Sequence, residues 1–321
     1  MNILVTVPFT EEQKKRLEAQ MPEASFTYVG RGEETKDQVA EAEIILGNVP
    51  VGRLKDARRL LWLQLNSSGA DAYAAPGVLP EEVQLTNATG AYGLAISEHL
   101  LATTFYLKKK LGKYHLNQLA GQWKDEGEVT AVAGSRTLVL GLGSIGGDYA
   151  RKMAALGSRV TGIRRTKAPC PEYLEAVGTF DDIDRFLPEA DIVVMALPNT
   201  PQTYRVMNKE RFSRMKRGSI LMNVGRGNAI DQQALYEALQ SGILAGASID
   251  VTDPEPLPAD HPLWKCENLL ITPHVAGDYH LQETLDWIVE LFIDNLGRFA
   301  AGKELRCPVD RATGYKKTET Y

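Results

Sequence analysis

The sequence predicts an α/β protein of two doubly wound parallel-sheet domains, one inserted within the other. The first observation is length: 321 residues exceed one ordinary domain and are comfortable for two. The second is pattern, because short apolar runs alternate with longer amphipathic ones, as parallel strands joined by helices do. The third is where the alternation stops. After Pro273 comes one amphipathic stretch, roughly Leu281 to Ala300, with no further strand series. A solitary helix there is expected to fold back on the first domain. That domain is then discontinuous, residues 1–98 with 278–321, around an inserted domain of residues 99–277.

The elements follow in order. In the first third the strand candidates are Ile3–Val7, Ser25–Val29, Glu43–Leu46, Leu61–Leu65 and Val83–Leu85, with helical patterns at Glu11–Gln20 and after Thr35. From about Leu94 to Leu111 apolar and aromatic residues continue too long for a loop, so this segment is expected to be one helix linking the domains. The second series is Thr137–Leu140, Arg159–Ile163, Ile192–Ala196, Ser219–Asn223, Ala245–Ile249 and Leu269–Ile271. Six strands with intervening helices fit the doubly wound fold. The polar tail from about Thr313 is expected to be mobile.

Composition narrows the class. Hydrophobic residues make up 44% and charged residues 24%, the balance of a soluble globular enzyme. No apolar run approaches the roughly 20 residues that span a bilayer, and the start, Met1-Asn2-Ile3-Leu4-Val5, reads as a buried strand rather than a signal peptide. A net charge of −5 argues against a general nucleic-acid binder. The basic run Lys108-Lys109-Lys110 with Lys113 is expected to be a solvated helix face. Three widely spaced cysteines, Cys170, Cys266 and Cys307, give no disulfide framework and no metal spacing. A cytoplasmic enzyme is the expectation.

The strongest local motif is Gly141-Leu142-Gly143-Ser144-Ile145-Gly146, between the strand Leu138-Val139-Leu140 and the helical segment Tyr149–Leu156. In that setting it reads as a dinucleotide loop. Gly141 allows the turn, Gly143 lets the backbone approach a pyrophosphate, and Gly146 lets helix and strand pack closely. The amides of Ser144 and Ile145 meet the pyrophosphate at the positive helix end. A glycine-rich turn without a ligand is the plain alternative. NAD-using domains place an acid at the end of the second strand to hold the ribose hydroxyls. Here that place falls on Arg164, followed by Arg165. Two guanidiniums suit the 2′-phosphate of NADP, so NADP is expected in preference to NAD, with NAD possible.

Three polar groups fall at strand ends, where open α/β sheets bind ligands. Arg226 lies in Asn223-Val224-Gly225-Arg226-Gly227, Glu255 in Asp253-Pro254-Glu255-Pro256, and His274 in Thr272-Pro273-His274-Val275. They suit reduction of a 2-oxo acid. The arginine clamps a carboxylate or carbonyl, the histidine protonates the carbonyl oxygen, and the glutamate orients and stabilises the imidazolium. Singly, each also has a purely structural reading.

Together these segments resemble the D-isomer-specific 2-hydroxyacid dehydrogenase family. From about Gly134 to Gly277 the landmarks stand in family order: the glycine loop, Ala196-Leu197-Pro198-Asn199-Thr200-Pro201, the Arg226 segment, Asp250-Val251-Thr252-Asp253-Pro254-Glu255-Pro256, and Thr272-Pro273-His274-Val275-Ala276-Gly277. Fainter likeness extends to Asn66-Ser67-Ser68-Gly69-Ala70-Asp71, to Ala95-Ile96-Ser97-Glu98-His99, and to Val309-Asp310 with Gly314-Tyr315. The resemblance implies a Rossmann cofactor domain inserted in a flavodoxin-like substrate domain. It implies Arg226, Glu255 and His274 as catalytic residues, with backbone amides of Ser68 and Gly69 on the substrate carboxylate. It further implies Asp250 at the nicotinamide carboxamide, Pro198 beside the adenosine, and a homodimer through the cofactor domain. For that dimer the apolar stretch Leu100–Leu111 and Trp123 are the candidates.

Glu255 argues against the formate dehydrogenases of this superfamily, which carry glutamine there, and Ser68 against phosphite dehydrogenases, which carry lysine. Tyr92 and Asn66 are candidates to line the pocket for the substrate side chain. The partner expected is a small 2-oxo or 2-hydroxy acid, not a nucleic acid or a membrane. A corepressor-like NAD(P)-binding protein of the same fold, with little catalysis, stays open as the alternative.

Overall fold

The computed structural model describes residues 1–311 and the backbone of Tyr315–Lys316. Gly314 and the tail from Thr313, singled out above, lie outside the described residues apart from that backbone. The chain divides into two compact units, Met1–Ala91 with the chain from Tyr279 onward, and Tyr92–Asp278.

In the first unit β1 (Asn2–Val5), β2 (Ser25–Tyr28), β3 (Ile44–Leu46), β4 (Trp62–Gln64) and β5 (Gln84–Thr86) form one parallel sheet in the order β2-β1-β3-β4-β5. This is the flavodoxin-like strand order. Its inner strands are buried on both faces, which is why they read as unbroken apolar runs. Helices α1 (Glu11–Glu18), α2 (Lys36–Glu41), α3 (Val51–Leu54) and α4 (Asp71–Ala74) make the crossovers. Thr10 and Thr35 start α1 and α2 as capping boxes with Gln13 and Gln38.

The second unit opens with α5 (Gly93–Lys108) and α6 (Leu111–Leu119). The long helix expected from about Leu94 to Leu111 is present as α5 but ends three residues early, because Lys110 adopts a left-handed conformation at φ 54° and α6 starts after it. The solvated-face reading of the lysine run also fails for Lys108, which is only 7% exposed; burial lowers its pKa. Lys109 and Lys110 donate to the carbonyls of Thr130 (3.2 Å) and Glu126 (2.5 Å).

Seven parallel strands follow: β6 (Arg136–Leu140), β7 (Arg159–Ile163), β8 (Ala176–Gly178), β9 (Ile192–Met195), β10 (Ser219–Asn223), β11 (Leu244–Ile249) and β12 (Leu269–Ile271). Their order is β12-β11-β10-β9-β6-β7-β8. The six-strand expectation missed β8, a short edge in which only Gly178 is buried. Helices α7 (Ser144–Ala155), α8 (Ile183–Phe186), α9 (Lys209–Arg214) and α10 (Gln232–Gln240) complete the crossovers. The sheet thus has the Rossmann order plus one strand, with its direction of winding reversing between β6 and β9.

The last helix, α11 (Gln282–Ala300), belongs to the first unit. It buries Ile288, Phe292 and Leu296, and Phe299 stacks on Trp62 with ring centroids 5.4 Å apart. Asn295, fully buried, donates to Gln64 Oε1 at 2.7 Å, and Gln64 Oε1 accepts also from Thr86 Oγ1 at 2.8 Å. A two-stranded antiparallel ribbon, β13 (Val309–Asp310) and β14 (Tyr315–Lys316), closes the described chain. Among the described residues no helix is long and apolar enough to cross a membrane.

Candidate active site

The second sheet gathers its polar residues at the carboxyl ends of its strands. The glycine loop leaves β6 and runs directly into α7, whose N-cap is Gly143. A Cβ on Gly146 would lie 1.9 Å from the Gly141 carbonyl oxygen, so helix and strand approach too closely for a side chain. After β7 comes Arg164, half-buried, whose amide donates to the Gly178 carbonyl at 2.9 Å. The edge strand β8 therefore fixes this strand end. Among the described residues no carboxylate pairs with Arg164. Arg165 beside it is exposed. Pro198 follows β9, its carbonyl held by Thr203 Oγ1 at 2.6 Å.

Arg226 follows β10 and is set by Asn223. The Asn223 carboxamide accepts from the Gly225 amide and donates to the Arg226 carbonyl, both at 3.0 Å. A Cβ on Gly227 would lie 2.0 Å from the Thr252 backbone, so this glycine lets the loops after β10 and β11 pack together. Asn223 escaped sequence reading. The available signal was an asparagine two residues before a glycine at a buried strand end, the setting of an Asx turn.

Asp250, Glu255 and His274 come together because β11 and β12 are neighbours. Glu255 Oε1 accepts from the Thr252 amide at 3.0 Å, while its Oε2 lies 2.9 Å from His274 Nδ1. The His274 and Glu255 side chains are 53% and 39% exposed, so the pair faces solvent. With Nδ1 held by a carboxylate, Nε2 is the nitrogen that can pass a proton outward. Asp250 is buried. Its carboxylate accepts from Thr272 Oγ1 (2.6 Å) and from the amides of Val275 (3.0 Å) and Ala276 (3.1 Å), and its carbonyl accepts from the His274 amide at 2.8 Å.

Residues 101–276 match the family profile described as "D-isomer specific 2-hydroxyacid dehydrogenase, NAD binding domain". The chain belongs to the D-isomer specific 2-hydroxyacid dehydrogenase family. It is 31% identical over 292 residues to a Corynebacterium melassecola protein named "Uncharacterized protein in proB 3'region", covering 89% of this chain and 94% of that one. The crystal structure of a family protein from Aeromonas salmonicida subsp. salmonicida A449 superposes with a TM-score of 0.85 at 30% identity, covering 97% and 99% of the two chains. The NADPH-dependent glyoxylate/hydroxypyruvate reductase of Sinorhizobium meliloti, solved with NADP and sulfate, gives a TM-score of 0.81 at 25% identity, covering 98% and 99%. The protein is an NAD(P)-dependent 2-hydroxyacid dehydrogenase.

The enzyme's glycine loop fits the cofactor this family uses. A Cβ on Gly143 would meet nothing within 4 Å, and its φ of −77° is ordinary, so nothing in the protein demands glycine there. The free volume lies at the start of α7, where no side chain caps the helix. A pyrophosphate resting against those amides uses both features.

In the first unit Ser68 and Gly69 lie half-buried in the loop after β4. Among the described residues neither amide has a protein acceptor. Asn66 and Tyr92, expected as pocket linings, are both buried. Asn66 exchanges bonds with Asn48, accepting from the Asn48 amide at 2.7 Å and donating its own amide to Asn48 Oδ1 at 3.1 Å.

Proposed function

We propose that the enzyme reduces a small 2-oxo acid of the glyoxylate or hydroxypyruvate kind to the 2-hydroxy acid, the D isomer where the product is chiral, drawing on NADPH. The observation that carries this reading is the imidazole–carboxylate pair of His274 and Glu255 at 2.9 Å. When bound, the nicotinamide supplies the hydride to the carbonyl carbon. His274 gives the proton to the carbonyl oxygen from Nε2, and Glu255 stabilises the imidazolium that donates it. Arg226 adds a fixed positive charge for the carboxylate or carbonyl, and the amides of Ser68 and Gly69 take the substrate carboxylate. Asp250 Oδ2, with a single amide donor, keeps a lone pair for the carboxamide. The cofactor is assigned to the Tyr92–Asp278 unit, with the pyrophosphate on Ser144 and Ile145 and the adenosine beside Pro198.

The NADPH preference is supported by Arg164, a half-buried guanidinium without a carboxylate partner among the described residues. The S. meliloti reductase, described as NADPH-dependent, supports the same choice. Cytoplasmic residence is proposed on the three free cysteines. Of the stretch Leu100–Leu111 expected at a dimer contact, Leu100, Thr103, Thr104 and Lys108 are buried within the protomer, so homodimerisation is proposed on α6 and the segment after it. The helix has no buried residue, and Leu116, Leu119 and Trp123 are all exposed.

The test is a panel of 2-oxo acids assayed with NADPH and with NADH, followed by loss of nicotinamide absorbance. Turnover is expected to be fastest with glyoxylate or hydroxypyruvate and NADPH. No turnover of any 2-oxo acid, with the cofactor still bound, would favour the corepressor-like reading instead.

A further inference from the structure

We propose that Asn87, just past β5, is a positioning residue that aims the amides of Ser68 and Gly69 at the substrate carboxylate. The proposal rests on the function proposed above and adds a residue to it. Asn87 is 1% exposed, so it cannot itself meet the substrate. Its Nδ2 donates to the Ser68 carbonyl at 2.7 Å, its Oδ1 accepts from the Thr89 amide at 3.2 Å, and its own amide donates to the Cys307 carbonyl at 3.1 Å. The carboxamide is thereby locked in one orientation, with its donor on the loop.

A peptide unit is planar and trans, so its C=O and the N–H of the next residue point in opposite directions. Fixing the Ser68 carbonyl on Asn87 therefore fixes where the Gly69 N–H points. The neighbouring units are held in the same way. The Ser67 carbonyl accepts from the Ala88 amide at 2.9 Å, which sets the Ser68 N–H, and the Gly69 carbonyl accepts from Ser67 Oγ at 2.7 Å. Three consecutive carbonyls are engaged by the protein, and the amides of Ser68 and Gly69 are left without a protein acceptor among the described residues. Consecutive N–H groups turned one way form an anion-binding concavity. A donor on the carbonyl also polarises the peptide and strengthens its N–H. Of the three holds only the Asn87 bond comes from a side chain outside the loop, so it can be deleted without altering the loop sequence.

The test compares Asn87→Leu, of similar bulk but without a donor, with Asn87→Ala, which leaves room for a water to reach the Ser68 carbonyl. Loss of one oriented donor is expected to raise KM for the 2-oxo acid about tenfold in Asn87→Leu. Asn87→Ala is expected to raise it about threefold, because a bridging water restores part of the bond. KM for NADPH should stay within about twofold in both. A side chain that only filled space would reverse the order, with Leu tolerated better than Ala. That reversal, or an unchanged substrate KM in folded Asn87→Ala, overturns the proposal; if Asn87→Leu does not fold, Asn87→Ala alone decides. Oxamate affinity for the NADPH complex, read from nicotinamide fluorescence, should weaken in parallel. Oxamate separates the two readings. Wild-type protein that reduces no 2-oxo acid sinks the proposed reaction, while weaker oxamate binding in the variants still supports Asn87 as the residue that aims the amides.

Discussion

His274 stands in a left-handed backbone conformation, φ 54°, and Asp250 holds it there from both sides. The Asp250 carbonyl takes the His274 amide, and the Asp250 carboxylate takes the two amides that follow it. A non-glycine residue at positive φ is a strained arrangement that persists when its surroundings over-determine it. Asp250→Asn puts an N–H₂ group where an acceptor is needed, so one of these bonds must fail. The expected outcome is a kcat lowered about ten- to hundredfold, since a small displacement of the proton donor is enough. Steady-state kinetics check it, and kcat within twofold of wild type would show that the loop holds its shape unaided.

For the His274–Glu255 pair, His274→Ala should lower kcat for reduction by about two to four orders of magnitude. Glu255→Gln keeps a hydrogen-bonding side chain and removes the counter-charge. Reduction consumes the proton on the imidazole, and the carboxylate orients the ring and balances its charge as that proton is passed. Glu255→Gln should therefore lower kcat about tenfold or more while leaving KM for NADPH nearly unchanged. A kcat within twofold of wild type would mean that Glu255 does not serve the proton donor.

Arg164→Ala with Arg165→Ala should raise KM for NADPH about ten- to hundredfold and leave KM for NADH nearly unchanged, since only the 2′-phosphate loses its partners. Kinetics with both cofactors read the difference. Equal kcat/KM for NADPH and NADH in the unmodified enzyme would reject the assignment.

How far the sequence foretold this molecule depends on whether a side chain or the backbone carries the information. Strands Arg159–Ile163, Ser219–Asn223 and Leu269–Ile271 lie where their apolar residues indicate. The strand Ala176–Gly178 has too few large residues to register as a strand. The break at Lys110 was hidden because no proline or glycine sits at the left-handed position. His274 and Glu255 were legible as chemistry, but their meeting across 19 residues of chain follows from the pairing of β11 with β12. Asn87, Asn223 and the bracing by Asp250 were not legible. Their partners are largely backbone amides and carbonyls, which every residue possesses and no sequence pattern marks.

The exposed apolar residues of α6 and the segment after it predict assembly. Leu119→Glu with Trp123→Glu should turn a dimer into a monomer on light scattering at micromolar concentration, because charge at an apolar contact goes unpaired. A monomer mass for the wild type under the same conditions would refute the dimer.

Tyr73 supplies a prediction at alkaline pH. Its hydroxyl donates to the Val49 carbonyl at 2.9 Å, and burial pushes its pKa from 10.0 up to about 12. A pKa raised by folding contributes stability that is complete below the unfolded value and is lost as pH climbs through the folded one. Between pH 10.0 and about 12 wild type should therefore lose stability faster than Tyr73→Phe. Denaturant titrations across that window test this, and parallel losses in the two proteins would contradict it.

The bond from Asn295 to Gln64 has a consequence for the order in which the protein is made. Gln64 and Trp62 lie in the first unit's sheet, yet the groups that cover them, Asn295 and Phe299, leave the ribosome more than two hundred residues later. The unit Tyr92–Asp278 is contiguous and can close as soon as its last strand emerges. The amino-terminal unit must wait for α11 with part of its apolar surface uncovered. Nascent chains halted when Leu269–Ile271 has emerged but Gln282–Ala300 is still inside the ribosome should therefore be protected from protease in the middle of the sequence and open to it at the beginning, the reverse of the usual amino-terminal head start.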